Sequence, residues 1–379
     1  MSPPRLSAER VRARLPVRRN PGALGTRSRT LWEAQKLPVK VLAVVALFAV
    51  LTILLPSSPV ASVMAPQSDW KTILFNPIGI YVLLAVGLNV VVGQAGMLDL
   101  GYVAFFAVGG YAMGLLATKQ HWDFWFVLPA GIVMAAGAGI ILGVPVLRLR
   151  GDYLAIVTLG FGQIIDVAAN NFSWDGGPNG ISAIPNPPSI GHSGPLYFGV
   201  VDPKPYYYLV LVMIFVVVFL VRRLERSRVG RAWSAIREDE DVAELMGVPT
   251  YRFRLWAFAF GAAVGGASGV MYASKELSIT PMDFTYQISV LILAGVVLGG
   301  SGNLPGVILG AFLVAWLPER FRQFADYRIM IFGAALVVVM IFRPEGLIPS
   351  RRRKAELADR GGGGGMNAPL MVPVTEGEQ

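Results

Sequence analysis

GQAGMLDLGYVAFFAVGGYAMG, residues 93–114, interrupts an otherwise apolar sequence. Apolar runs flank it on both sides. Its first nine residues nonetheless include Gln94, Asp99 and the glycines Gly93, Gly96 and Gly101. In a soluble protein such a stretch is an ordinary loop. Within a membrane it is expensive, because polar groups at membrane depth cost free energy unless something satisfies or uses them. Which of the two it is depends on the surrounding sequence.

That sequence is a membrane protein's. Of 379 residues, 54% are apolar and 15% charged, against roughly a quarter charged in soluble domains. Mean hydropathy is +0.56. Apolar runs at 39–56, 72–92, 100–118, 125–147, 153–171, 206–221, 254–274, 286–300, 304–318 and 328–342 predict an all-α, polytopic helical membrane protein with about ten transmembrane spans. Several runs fall short of the ~20 residues a straight span needs, so some are half-helices or tilt little. The chain has no cysteine and only His121 and His192. Disulfides, thiolate metal sites and most histidine chemistry are thereby excluded.

The formal net charge of +9 is not spread evenly. Segments 1–40, 148–152, 222–254 and 343–379 hold 26 of the 33 Lys and Arg residues. Basic residues collect on the cytoplasmic side, so the chain is expected N-in and C-in. The basic residues then serve as membrane-side anchors, and the argument for nucleic acid as a partner goes. Residues 1–38 read as a basic cytosolic tail; Glu9 and the immediate first span argue against a transit peptide. Residues 39–349 read as the transmembrane domain, and the Gly-rich 350–379 reads as a disordered cytosolic tail.

Two connections are long. The external loop 172–205 is rich in Pro, Gly and Asn, and is either a docking surface or a solvated connector. The inner loop 222–254 carries Trp233, Ile236, Val242, Leu245 and Met246 at near-helical spacing, with acids on the other faces. Gly247 before Val248-Pro249 is a helix stop. This predicts one short amphipathic helix, or two, displayed in the cytosol. Five acids suit an anionic leaflet poorly, so the apolar face is expected to enter a groove on a protein partner. Within the fifth span, Gln163, Asp166 and Asn170 share one helical face, a pathway reading or a solvated span end. A second Gly-rich break, VLGGSGNLPGVILGA (297–311), echoes the first. An odd number of spans between the two allows inverted repeats with broken helices. Glycine pairs such as Gly110/Gly114, Gly265/Gly269 and Gly306/Gly310 read as close helix contacts.

Enzymatic chemistry finds little support. There is no phosphate-cradling Gly-Lys-Ser/Thr loop. GASG at 266–269 looks like an intramembrane protease motif, but no histidine follows His192 to activate Ser268. No metal cluster appears, and the chain itself calls for no cofactor. Broken helices of this kind also suit an ion-driven secondary transporter.

Six ordered motifs carry a family resemblance: GLNVVVGQAGMLDLGYVAFFAVGGY, LRLRGDYLAIVTLGFGQII, GGPNGI, GRAWSAIREDEDVAELMGV, VLGGSGNLPGVILGA and FRPEGLI. From about Tyr81 to Ile348 the chain resembles the permease subunits of branched-chain amino acid ABC transporters, the LivM-like subgroup. Gln163 departs from the pattern, where the family suggests Glu. The resemblance implies import of branched-chain amino acids across a bacterial inner membrane, with urea or short amides as the cargo of close relatives. It implies as partners a second LivH-like permease, two ABC ATPase subunits, a periplasmic substrate-binding protein and the lipid bilayer. It also implies a coupling helix built from Ile236, Arg237, Glu238, Asp239, Asp241, Ala243, Glu244, Met246 and Gly247. The translocation pathway would draw on Gly93, Gln94, Gly96, Asp99 and Gly101, on Gln163 and Asp166, and on Ser301, Gly302 and Asn303.

Overall fold

The computed structural model describes residues 69–149, 151–172, 176–189, 203–320 and 346–348, with Phe198 and a few positions between 330 and 341. All of them belong to one compact unit, Ser58–Gln379. The expected span 39–56 and the tails 1–38 and 350–379 lie outside the described residues, as does most of 328–342.

The described part is helical, apart from an isolated antiparallel bridge between Ile181 and Ile279. In chain order the helices are α1 (Trp70–Gln94), α2 (Val103–Lys119), α3 (Phe124–Val146), α4 (Asp152–Asn171), α5 (Lys204–Glu225), α6 (Arg228–Glu238), α7 (Glu240–Leu245), α8 (Thr250–Glu276), α9 (Tyr286–Gly299) and α10 (Leu304–Arg320). α1 contains two π-helical stretches, Leu74–Gly79 and Val90–Gln94. Six segments are long and apolar enough to cross a membrane: α1, α3, residues 153–171 of α4, α5, α8 and Pro281–Gly299. The last joins α9 to a preceding 3-10 turn.

α1 and α8 are the most buried of these and form the centre. Small residues let the helices approach at backbone distance. A Cβ at Gly109 would run into the Gly266 carbonyl, and one at Gly269 into the Phe106 carbonyl, so α2 and α8 touch main chain to main chain. α9 and α10 do the same, through Gly295, Gly299, Gly306 and Gly310. The close contacts expected from glycine spacing are therefore present at Gly269, Gly306 and Gly310. Gly110 lies against Gly269 and also receives the Phe284 ring, while Gly114 receives Ile181. Ser268 is fully buried and bonds its Oγ to the Val264 carbonyl at 2.9 Å, which makes it a packing residue.

Phe126, Val133 and Ile141 of α3 are exposed, as lipid-facing side chains would be. Trp122 and Trp125 stand exposed near one end of α3, and Tyr251 and Trp256 near the start of α8. Aromatic side chains of this kind favour membrane–water interfaces. Residues 181–184 of the long 172–205 connection pair with Leu277–Ile279, so this part of the loop is fixed onto the end of α8.

Candidate site at the glycine breaks and the 222–254 loop

α1 ends in a π turn, where Ala95 N–H reaches back to the Val90 carbonyl and Met97 N–H to that of Val91. Gly96 follows at φ +75°, a left-handed conformation that only glycine adopts without strain. The chain then runs without helix to Gly101. Its backbone donors are met by neighbouring side chains. Leu100 N–H donates to Thr158 Oγ1 of α4 at 3.1 Å, and Gly101 N–H to Asp99 Oδ1 at 2.9 Å. Val103 N–H donates to Ser289 Oγ of α9 at 2.9 Å. A Cβ at Gly101 would strike the Thr158 carbonyl, so the segment lies tight against α4.

These partners fix its depth. Tyr102 donates to the Gly261 carbonyl at 2.8 Å. Gly261 stands eleven residues into α8, about 16 Å along its axis. The segment thus climbs inside the helix bundle rather than turning at its surface. Non-helical backbone at such depth is tolerated where protein buries it. Asp99 is 1% exposed, and its Oδ2 has no hydrogen-bond partner among the described residues. Met97 and Gly101 are buried as well, while Gly96 and Leu98 are exposed.

The second break sits beside the first. Gly300 and Gly302 have φ of +106° and +84°. Gly302 N–H donates to Asn89 Oδ1 of α1 at 2.8 Å, and Gly302 lies against the Gly93 carbonyl. Residues 346–348 hold the far side: Leu347 and Ile348 donate to the Leu298 and Gly299 carbonyls, and Asn303 Nδ2 donates to the Ile348 carbonyl at 2.7 Å. Gln94 Nε2 donates to Glu225 Oε1 at 2.7 Å. Gly93, Gly302, Asn303 and buried Ser301 therefore form one junction with the end of α1.

The 222–254 loop holds two helices. Ser227 caps α6 by accepting from Val229 N–H, and Asp239 caps α7 by accepting from Asp241 and Val242 N–H, both at 3.0 Å. Asp239 is extended (φ −157°, ψ 115°), which breaks the helix between Glu238 and Glu240. Gly247 at φ +85° closes α7, with Gly247 N–H to the Glu244 carbonyl and Val248 N–H to the Ala243 carbonyl. This double bond at a left-handed glycine is a Schellman stop. The break divides the apolar stripe that the sequence suggests. Trp233 and Ile236 of α6 are 1% and 6% exposed, whereas Leu245 and Met246 are 87% and 80% exposed. Ala243 is buried, and Val242 is exposed with Leu245 and Met246. α6 faces the membrane domain, with Trp233 Nε1 donating to the Phe253 carbonyl at 2.7 Å. α7 presents its apolar side chains outward.

Two arginines join this loop to the breaks. Arg237 Nη1 donates to the Gly93 carbonyl. Arg254, 4% exposed, pairs with Glu240 at 2.5 Å, contacts Met97 Sδ at 3.3 Å, and donates to the Leu149 carbonyl at 3.4 Å. Sequence reasoning treats Arg254 as a basic anchor and Arg237 as part of a docking helix. The available signal for Arg254 was its place among Phe253, Leu255 and Trp256. For Asn89 it was a lone amide inside an apolar run.

On α4 the expected polar face divides. Asp166 Oδ1 accepts from Asn170 Nδ2 at 3.2 Å, and Asp166 borders a narrow cleft with Tyr111 and Phe284. Gln163 is exposed and lies in an open, largely apolar groove with Ile164, Val167 and Phe172. Among the described residues, no group of three or more metal-ligating side chains occurs.

A family profile described as "Branched-chain amino acid transport system / permease component" matches residues 72–342. The chain is 43% identical over 296 residues to the high-affinity branched-chain amino acid transport system permease protein LivM of Escherichia coli, covering 73% of this chain and 70% of that one. A probable branched-chain amino acid transport permease protein LivM from Methanocaldococcus jannaschii is 25% identical, covering 72% and 91%. The Escherichia coli permease protein LivH is 24% identical, covering 71% and 91%. No solved structure matches.

Proposed function

The chain belongs to the permease components of branched-chain amino acid transport systems, and from that premise we propose that it is one half of the membrane core of an ATP-driven importer. The other half is a LivH-like permease. Two ATP-binding-cassette subunits sit on the cytoplasmic side, and an external binding protein supplies leucine, isoleucine or valine. The cytoplasmic face is the one carrying α6 and α7, because the described basic residues crowd there, Arg222 to Arg254 against Lys71, Lys119, Lys204, Lys275 and Arg320. The membrane is the bacterial inner membrane, crossed about ten times, N-in and C-in. The two glycine breaks belong to inverted halves.

One observation carries the reading. α7 ends at Leu245, followed by Met246, both largely exposed, on a short helix that buries Ala243. Apolar side chains presented on a helix in this way suit a groove on a partner, here an ATPase subunit. The exposed strip of α4 with Gln163 faces the second permease, and the pathway runs between them and the breaks. An amide in mid-span favours a protein or watered surface over lipid. Cargo is held weakly, with an apolar wall for the branched side chain and polar backbone at the breaks for the charged ends.

The test is uptake of radiolabelled leucine into proteoliposomes holding both permeases and the ATPase subunits. Uptake should need ATP inside the vesicle that the ATPases face, and the binding protein outside. Uptake that follows a Na⁺ or H⁺ gradient and ignores ATP would refute the proposal and favour a secondary transporter.

A further inference from the structure

We infer that Arg237 is the positioning residue through which the coupling element moves both glycine breaks at once. The inference rests on reading α6 and α7 as the element that an ATPase subunit displaces. Its geometry is separate from the docking surface, because Arg237 points away from Leu245 and Met246 and into the membrane domain.

Three observations place it. Arg237 Nη1 donates to the Gly93 carbonyl, in the last turn of α1, where helix carbonyls lack intrahelical partners and a cation is favoured. The same nitrogen lies beside the second break, 2.6 Å from where a Cβ on Gly302 would stand. The aliphatic stem lies against Gly96, where a Cβ would be 2.9 Å from Arg237 Cγ and 3.2 Å from its Cβ. One side chain thus touches the end of α1, the start of the climbing segment and the second break.

The three glycines explain the fit. Any side chain at Gly93, Gly96 or Gly302 would occupy space held by Asn89, Arg237 or the facing backbone. The breaks are also tied to each other by the Asn89–Gly302 bond of 2.8 Å. A shift of α6 therefore cannot move one break and leave the other. Arg254 supports the link from the next turn of chain, holding Glu240 of α7 and Met97 of the climbing segment. A planar guanidinium with fixed donors transmits displacement better than a flexible ammonium.

The chain has no native cysteine, which permits a crosslinking test; Gly96→Cys alone, at the left-handed φ of +75°, is the control for backbone strain. Gly96→Cys with Arg237→Cys replaces the contact by a bond between positions whose Cβ atoms are near disulfide range. The pair is oxidised with copper phenanthroline or reduced with TCEP in the assembled, reconstituted transporter. The readout is leucine transported per ATP hydrolysed, with crosslinking followed by gel shift. The oxidised pair should keep most of the wild-type ratio. Reduction should lower it at least tenfold while ATP hydrolysis and assembly persist, as in Arg237→Ala. A ratio indifferent to redox state overturns the inference. So does a low ratio in both states, or a disulfide that never forms. Failure of the wild-type assembly to couple ATP hydrolysis to leucine uptake would instead remove the underlying reading of α6 and α7.

Discussion

Replacing Leu245 and Met246 together by Ala tests the docking surface quantitatively. Both side chains are more than three-quarters exposed, so neither supports the fold of the free chain. Exposed substitutions of this kind stay within about 0.5 kcal/mol of stability, and Ala is at least as good a helix former as Leu or Met. Thermal unfolding of the purified permease should therefore be unchanged. In an interface the same side chains are worth about 1.5–3 kcal/mol each when fully buried. Truncation to Ala removes most of that, about 2–4 kcal/mol for the pair, which weakens ATPase-subunit binding roughly 30- to 1,000-fold. The assay is titration of the isolated ATPase subunit onto the permease in nanodiscs, with Ile236→Ala as the contrast. Ile236 is buried against the membrane domain, so its loss should lower stability by about 2–5 kcal/mol. The reasoning fails if the double variant unfolds like wild type and binds within threefold of it. It fails differently if the double variant is destabilised, because the apolar end of α7 would then be part of the fold.

Gly269→Val would drive a side chain into the Phe106 carbonyl and the Gly110 amide; it should cost about 1–3 kcal/mol or more through overpacking, seen as a lower unfolding midpoint in detergent. Gly247→Pro forces φ from +85° to about −65° and removes the N–H that reaches the Glu244 carbonyl; ATP hydrolysis should continue while leucine uptake falls, and Glu244→Lys, through charge at the same surface, should also uncouple the two.

The helices were legible because their signal is local. A run of apolar residues bounded by Gly, Pro or charge predicts α3, α5 and α8 within a few residues, since the bilayer sets the length. The two breaks were legible as well, as polar and glycine residues where apolar ones were due. Their joining was not. The bond from Asn89 to Gly302 spans 213 residues, and no periodicity reports a contact at that separation. The 222–254 loop shows a subtler loss. Trp233, Ile236, Val242, Leu245 and Met246 fit one stripe, and only the extended backbone at Asp239 turns half of it inward. An Asp before Glu240-Asp241 is a cap signal, but it cannot say which way the next helix points. Arg237 was legible as part of the loop, while its direction was not.

The climbing segment from Ala95 to Val103 also bears on how the chain enters the membrane. Its amides depend on Thr158 and on Ser289, 58 and 186 residues away from the groups they serve. A helix supplies its own hydrogen bonds as it leaves the ribosome; this stretch cannot. Until α4 and then α9 arrive, α1 and α2 flank backbone that lipid cannot satisfy. The first half of the protein is thus an unfinished insertion product, to be held in a wet or protected setting until synthesis is nearly complete. Substitutions at Ser289 would be felt first as failed assembly of helices made long before it.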